Sequence, residues 1–353
     1  MASALDRLAY GATQGLRVSW YYGQKLVAAA RAEPQPEPRE PPRPKQPRDR
    51  GRRRPDRARL LRDLARLLER DWQNIAAGYY QLPADLVPNP LPRLRRSRQF
   101  FADLPRVEAR RLAGDNSEVF RQVPKGRYPR YYLQNFHYQT DGYLSRQSAE
   151  LYDHQVEVLF GGAADAMRRQ ALVPLHDEIL RRGVRETRLI DLACGTGRFL
   201  REVKNNYPRL HVTGLDLSPF YLDEARRSLA DWSRTEFLAA PAEAVPSAPA
   251  SFEIVTSIYL FHELPAKQRR AVAQEIARIL KPGGLFIFLD SLQCGDEPDY
   301  EILIERFPQQ FHEPYYANYA REDLKSLFGA AGLAPEESRL AYFSKLMTFR
   351  KPE

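Results

Sequence analysis

The run Leu189-Ile190-Asp191-Leu192 places an acid among strand-forming residues, and the small-residue loop Ala193-Cys194-Gly195-Thr196-Gly197 follows it. A helix-compatible run starts at Arg198. Read as strand, turn and helix, this is a binding device. Gly195 and Gly197 leave room where a Cβ would exclude a ligand. The turn aims helix N-terminal N–H groups at that ligand. Asp191 falls at the carboxyl end of its strand, where open α/β sheets bind ligands. A second short run, His211 to Ser218, ends in Asp216, 19 residues past Gly197. An acid about 20 residues beyond such a turn is placed to grip ribose hydroxyls. The chemistry indicated is the binding of a nucleoside-containing cofactor.

Further along, Phe252 to Ser257 reads as a strand, and Tyr259-Leu260-Phe261-His262-Glu263-Leu264-Pro265 follows it. A helix with Val272, Ile276, Ile279 and Leu280 on one face leads into Lys281-Pro282-Gly283-Gly284 and the strand Leu285 to Leu289. Proline and glycine there stop the helix before the strand.

In this order the motifs resemble those of class I S-adenosylmethionine-dependent methyltransferases, over about 170 residues of the chain. The resemblance implies a Rossmann-like, seven-stranded, mostly parallel sheet with an antiparallel last strand, here carrying a helical N-terminal extension. It implies S-adenosyl-L-methionine as cofactor. Gly195 and Gly197 would lie against its methionyl and ribose portions, Asp216 would accept from the ribose hydroxyls and Leu217 would cover the adenine. Asp191 would receive the ammonium or fix the loop, and Ala193 stands where the family's first loop glycine usually is. Pro241 replaces the family's usual acid, which leaves the adenine edge to the backbone of Ala242. Glu253 stands where the family usually has Asp. Tyr259 completes the cofactor set. The final hairpin is expected from Arg339 to Phe343 and Lys345 to Arg350.

A catalytic base is needed only where the acceptor must lose a proton. His262, after the fourth strand, is the leading candidate. Tyr143 and His312 are candidates at the acceptor rim, beside His137 and Tyr316. The His and Glu residues show no metal-ligand spacing, so no metal is expected. No nucleophile elbow is present.

The segments that flank these motifs set the organisation. Residues 1–30 mix Leu5, Leu8, Leu16, Trp20 and Leu26 with Arg7, Arg17 and Lys25, a basic amphipathic helix suited to a membrane surface, a partner or the protein's own core. Residues 31–58 are rich in Pro and Arg without a hydrophobic period, which predicts a disordered linker. Residues 59–184 read as a helical and aromatic region that covers the substrate, and 185–353 as the cofactor-binding domain. Within the former, Tyr128 to Ser145 holds five tyrosines with Phe136 and His137, rigid surface with polar tips that suits a lid. The helix from Arg59 to Ala77 follows from Leu60, Leu61, Leu64, Leu67 and Leu68.

The net charge is +9, of which residues 31–57 and 93–111 each contribute +5. The remainder is close to neutral, which disfavours nucleic acid as partner because a duplex-gripping core should itself be basic. Cys194 and Cys294 are the only cysteines, too few for a disulfide framework and suited to a reducing, cytoplasmic setting. No apolar run is long enough to span a membrane, and no secretory signal is evident. The expectation is therefore a methyltransferase acting at oxygen or carbon of a small aromatic or lipid-like acceptor, cytoplasmic or peripheral to a membrane. Two alternatives stay open: an RNA or protein methyltransferase guided by the Arg-rich segments, and a non-catalytic S-adenosylmethionine-binding assembly subunit.

Overall fold

The computed structural model describes residues 3–32, 55–83, 90–124 and 126–353. The greater part of the expected linker, 33–54, lies outside the described residues. Its end does not: helix α2 (Arg57–Ala76) begins inside the expected linker, because Asp56 accepts the N–H of Arg59 and caps it. Helix α1 (Ala4–Arg31) precedes it, and α3 (Pro90–Ala113) and α4 (Glu118–Gln122) follow. The aromatic stretch then runs through a single 3-10 turn, Phe136–Tyr138, into α5 (Arg146–Leu159), α6 (Ala164–Arg169) and α7 (Leu172–Arg182).

Strands and helices then alternate: β1 (Arg188–Leu192), α8 (Arg198–Asn206), β2 (His211–Asp216), α9 (Pro219–Ser228), β3 (Thr235–Ala239), β4 (Phe252–Ile258), α10 (Ala266–Ile279) and β5 (Leu280–Ser291). An insertion of α11 (Glu301–Phe311) and α12 (Tyr316–Tyr319) leads to α13 (Leu324–Ala330), β6 (Ala334–Ala341) and β7 (Ser344–Arg350). The seven strands form one sheet in the order β3-β2-β1-β4-β5-β7-β6, with β1 to β5 parallel and β7 antiparallel to both neighbours.

Alternation along the strands feeds two cores. On one face Ile190, Leu192, Val255, Phe286 and Phe288 pack against Val272 and Ile276 of α10 and Phe328 of α13. On the other, Leu189, Ile254, Ile287 and Leu289 pack with Leu172 and Leu175 of α7, Phe199 and Val203 of α8, and also Tyr10 and Trp72. The N-terminal helices therefore share a core with the sheet.

Helix α1 turns a polar face inward. Tyr10 donates to Asp71 at 2.6 Å, Arg17 pairs with Glu157 at 2.7 Å, and His154 bonds Gln24 at 2.9 Å. Its outward face carries Leu5, Leu8 and Leu16, each more than 70% exposed. Asp71 is wholly buried and also receives Tyr80 and Arg169, at 2.7 and 2.6 Å. Among the described residues no helix is long and apolar enough to cross a membrane.

Candidate active site

Between β1 and α8 the backbone leaves its usual conformations three times. Ala193, Gly195 and Gly197 have φ of +57°, +56° and +75°. The glycines take this freely; Ala193 takes it at a cost of roughly 1 kcal/mol. The loop is thus more strained than a merely tolerated alanine would suggest. The Gly195 N–H donates to Asp216 Oδ2 at 2.9 Å, and the Ser218 N–H donates to Oδ1 at 2.8 Å. Each oxygen keeps acceptor capacity for a ligand. Burial pushes the Asp216 carboxyl up to about 6 against these hydrogen bonds. Asp191 is buried, accepts from Thr256 Oγ1 at 2.6 Å, and is raised by burial to about 7.

These groups line a cleft at the carboxyl ends of the parallel strands. Asp191, Ala193, Gly195, Asp216, Leu217, Ala242 and Tyr259 all face it. Gly197 does not. A Cβ there would stand 2.6 Å from Leu229 Cδ1, so this glycine serves the packing of α8 on the end of α9 rather than a ligand's approach. Beside Gly195 a Cβ would meet only Tyr221 Cδ1, at 3.9 Å. Tyr259 has φ of +60° and bonds Ser344 through its hydroxyl at 2.7 Å. Glu253 lies away from this cleft, where it accepts the Arg188 N–H at 2.8 Å and pairs with Lys281.

Several lining residues escape sequence reasoning. Asp153 of α5 accepts from Thr196 Oγ1 at 2.9 Å, and Arg168 of α6 and Arg198 of α8 both pair with buried Asp165. Tyr131 donates to Glu243 at 2.6 Å. Arg198 had one sequence signal, its place directly after the glycine turn; Asp153 and Arg168 had none. The cleft's cations suit a carboxylate, Asp153 suits an ammonium and Asp216 suits a diol, so the residues present fit S-adenosylmethionine.

The aromatic stretch forms the far wall. Tyr143 stacks on Phe136 at 5.6 Å between centroids and meets Tyr221 edge-on at 5.5 Å. The free space left is about 120 Å³.

A second, larger cavity of about 520 Å³ lies behind it. Its lining includes Phe100, Leu104, Val107, Val156, Leu159 and Phe311. Tyr152 lines both spaces. The aromatic stretch partitions them: Tyr131, Tyr132, Phe136 and Tyr143 face the cleft, whereas His137, Tyr138 and Gln139 face the cavity.

The three proposed catalytic side chains separate. Tyr143 lines the cleft and donates to Glu263, also in the lining, at 2.7 Å. His262 is buried behind it, with Nδ1 2.6 Å from Asp290 Oδ1. Burial favours the neutral ring, but Asp290, Glu263 and Glu313 outweigh it and raise His262 to about 9. At neutral pH it holds a proton and is poorly suited to accept one. His312 lines neither space. It is occupied by Asn116 and Gln134, at 3.3 and 3.2 Å, and its backbone is left-handed (φ +46°). Although the sequence shows no metal-ligand spacing, the fold gathers His137, Glu263 and Glu313 from three distant segments. His137 Nε2 is 3.1 Å from Glu313 Oε1. Burial drives His137 down to about 3, so its ring is neutral and this is not an ion pair; burial also pushes Glu313 up.

Residues 189–284 match the family model described as a methyltransferase domain. The chain is 32% identical over 194 residues to the ubiquinone/menaquinone biosynthesis C-methyltransferase UbiE of Methylobacterium nodulans, covering 46% of this chain and 75% of that one. It belongs to the S-adenosylmethionine-dependent methyltransferases. It is also 29% identical over 167 residues to the malonyl-[acyl-carrier protein] O-methyltransferase of Halalkalibacterium halodurans, covering 45% and 59%. It spans about three-fifths of the length of that relative and of others that it matches. Among solved structures it is similar to a chain of the Haloferax volcanii complex between the Trm112 methyltransferase activator and a methyltransferase. That match has a TM-score of 0.42 and 21% identity, and covers 54% and 95% of the two chains. The cofactor of this family is S-adenosylmethionine.

Proposed function

We propose that this chain transfers a methyl group from S-adenosylmethionine to a small aromatic or lipid-like acceptor, at oxygen or carbon. The observation that carries the reading is the shared wall. A cleft with a diol-binding acid and an apolar cavity of about 520 Å³ meet at Tyr152. The names of the relatives, a C-methyltransferase of quinone biosynthesis and an O-methyltransferase of an acyl chain, agree with an apolar acceptor.

Bound in the cleft, S-adenosylmethionine would supply a methyl on a sulfonium, the acceptor atom giving the electron pair of the new bond and sulfur keeping that of the broken one. The chain's own contribution is position and dryness. Gly195 and Asp216 would hold the ribose end, Arg168 or Arg198 the carboxylate, and Asp153 the ammonium. Tyr143, Tyr152 and Tyr221 exclude water. Tyr143 and Glu263 present a polar pair to the acceptor.

The test is incubation of the protein with methyl-labelled S-adenosylmethionine and fractionated cell extract. Label should enter the lipid or small-molecule fraction and be lost with Asp216→Ala. Label in RNA or protein would overturn the acceptor class, and binding without transfer to any fraction would favour an assembly subunit.

A second element concerns α1. Leu5, Leu8 and Leu16 face outward while its polar face is spent on Asp71, Glu157 and His154, so we infer docking of this apolar face on a membrane surface. Co-sedimentation with anionic vesicles should fall for the Leu8→Glu, Leu16→Glu double variant at unchanged melting temperature. Wild type that stays in the supernatant would refute it.

A further inference from the structure

We propose that His137 Nε2 and the carboxylates of Glu263 and Glu313 bind one divalent transition-metal ion in the wall between cleft and cavity. The three ligand atoms lie within 4.8 Å of one another. Donors about 2.1 Å from a shared ion sit roughly 3–3.5 Å apart when adjacent, so small side-chain rotations close the set.

The independent sign is Glu313. It is 1% exposed, and neither oxygen has a hydrogen-bond partner among the described residues. His137 stands close but is not aligned with it as a hydrogen bond. A buried carboxyl without partners is costly and rare, and a cation between it and Glu263 supplies what is missing. Its backbone is fixed: the Glu313 N–H donates to Pro308 at 3.2 Å and its carbonyl accepts from Tyr316 at 3.2 Å. An outer layer that orients the ligands is also present. Tyr143 donates to one Glu263 oxygen at 2.7 Å, leaving the other for an ion.

The donor set selects the ion. One imidazole with two carboxylates suits Mn²⁺, Fe²⁺ or Zn²⁺, whereas Ca²⁺ and Mg²⁺ favour all-oxygen sites and Cu(I) favours sulfur. Two carboxylates and a divalent ion also sum to zero charge in this buried place. Glu263 faces the cleft and His137 the cavity, so the ion's remaining positions are available to an acceptor carrying an oxygen donor such as a hydroxyl, enol or carboxylate. That consequence rests on the transfer reading; the binding itself does not.

The test uses the full chain, stripped with chelator and titrated separately with Mn²⁺, followed by electron paramagnetic resonance, and with Zn²⁺, followed by equilibrium dialysis. One saturable equivalent is expected, with affinity at least tenfold weaker in Glu313→Gln and in His137→Asn. Mn²⁺ should raise the melting temperature of wild type and of neither variant. Calorimetry with S-adenosylmethionine on the same preparations separates the two readings, since its outcome concerns only the cleft. Absence of a saturable equivalent for both ions, or equal binding by either folded variant, would overturn the site.

Discussion

The backbone N–H of Gly195 donates to Asp216 Oδ2 across 2.9 Å, joining the turn after β1 to the end of β2. One carboxylate thus holds the loop and presents its remaining lone pairs to the cleft. Replacing it by Ala removes a charge-assisted contact to the ligand, of about 1.5–3 kcal/mol. Asp216→Ala should therefore bind S-adenosylmethionine roughly 10- to 100-fold more weakly by calorimetry. Because the group is raised to about 6, wild-type affinity should also fall as pH drops through that value.

The two loop glycines should fail differently. In Gly197→Ala the new methyl collides with Leu229 and Ala225, and overpacking of this kind costs about 1–3 kcal/mol. The denaturation midpoint should drop. Gly195→Ala meets no close atom and should lose less stability, limited to the strain of its positive φ, but more cofactor affinity. Equal effects of both on both measurements would contradict this division.

Asp191 allows a test by pH. Its folded-state value is raised by burial to about 7, above the unfolded value of 3.8. The folded state holds the proton more tightly, so its contribution is fully present below pH 4 and is lost as pH rises to about 7. Asp191→Asn keeps an acceptor for Thr256 without the charge. At pH 7.5 the cofactor-free variant should be more stable than wild type by about 1–3 kcal/mol, with the gap closing toward pH 4 in thermal melts.

Asp71 anchors α1, Tyr80 and α6 through Tyr10, Tyr80 and Arg169. Its removal leaves the buried Arg169 guanidinium with only Glu202, at 3.5 Å, as an ionic partner among the described residues. Asp71→Ala should cost about 3–5 kcal/mol and expose α1 to proteolysis. An unchanged urea midpoint would refute this role.

Where function and fold were legible, the physics was local. Asp191, Gly195 and Asp216 stand out because strand, turn and helix are neighbours in the chain. The edge strand β6 was not legible at its start. It begins at Ala334 rather than near Arg339, since Pro335, Glu336 and Glu337 lie exposed and show no apolar alternation. Nor could spacing show that Gly197 packs on Leu229, or that Ala193 adopts a glycine-like φ.

The order of strand-forming runs, glycine turn and acids determined the sheet, the cofactor and the Asp191, Gly195 and Asp216 side of the cleft, because each signal is written within about 20 residues. The acceptor side was decided only in three dimensions. His137, Glu263 and Glu313 come from separate segments, and the apolar cavity is lined by α1, α3, α5 and α11, elements far apart in the chain. Side chains brought together by long-range packing leave no period or spacing to read, so their proximity exists only once both faces of the sheet are covered.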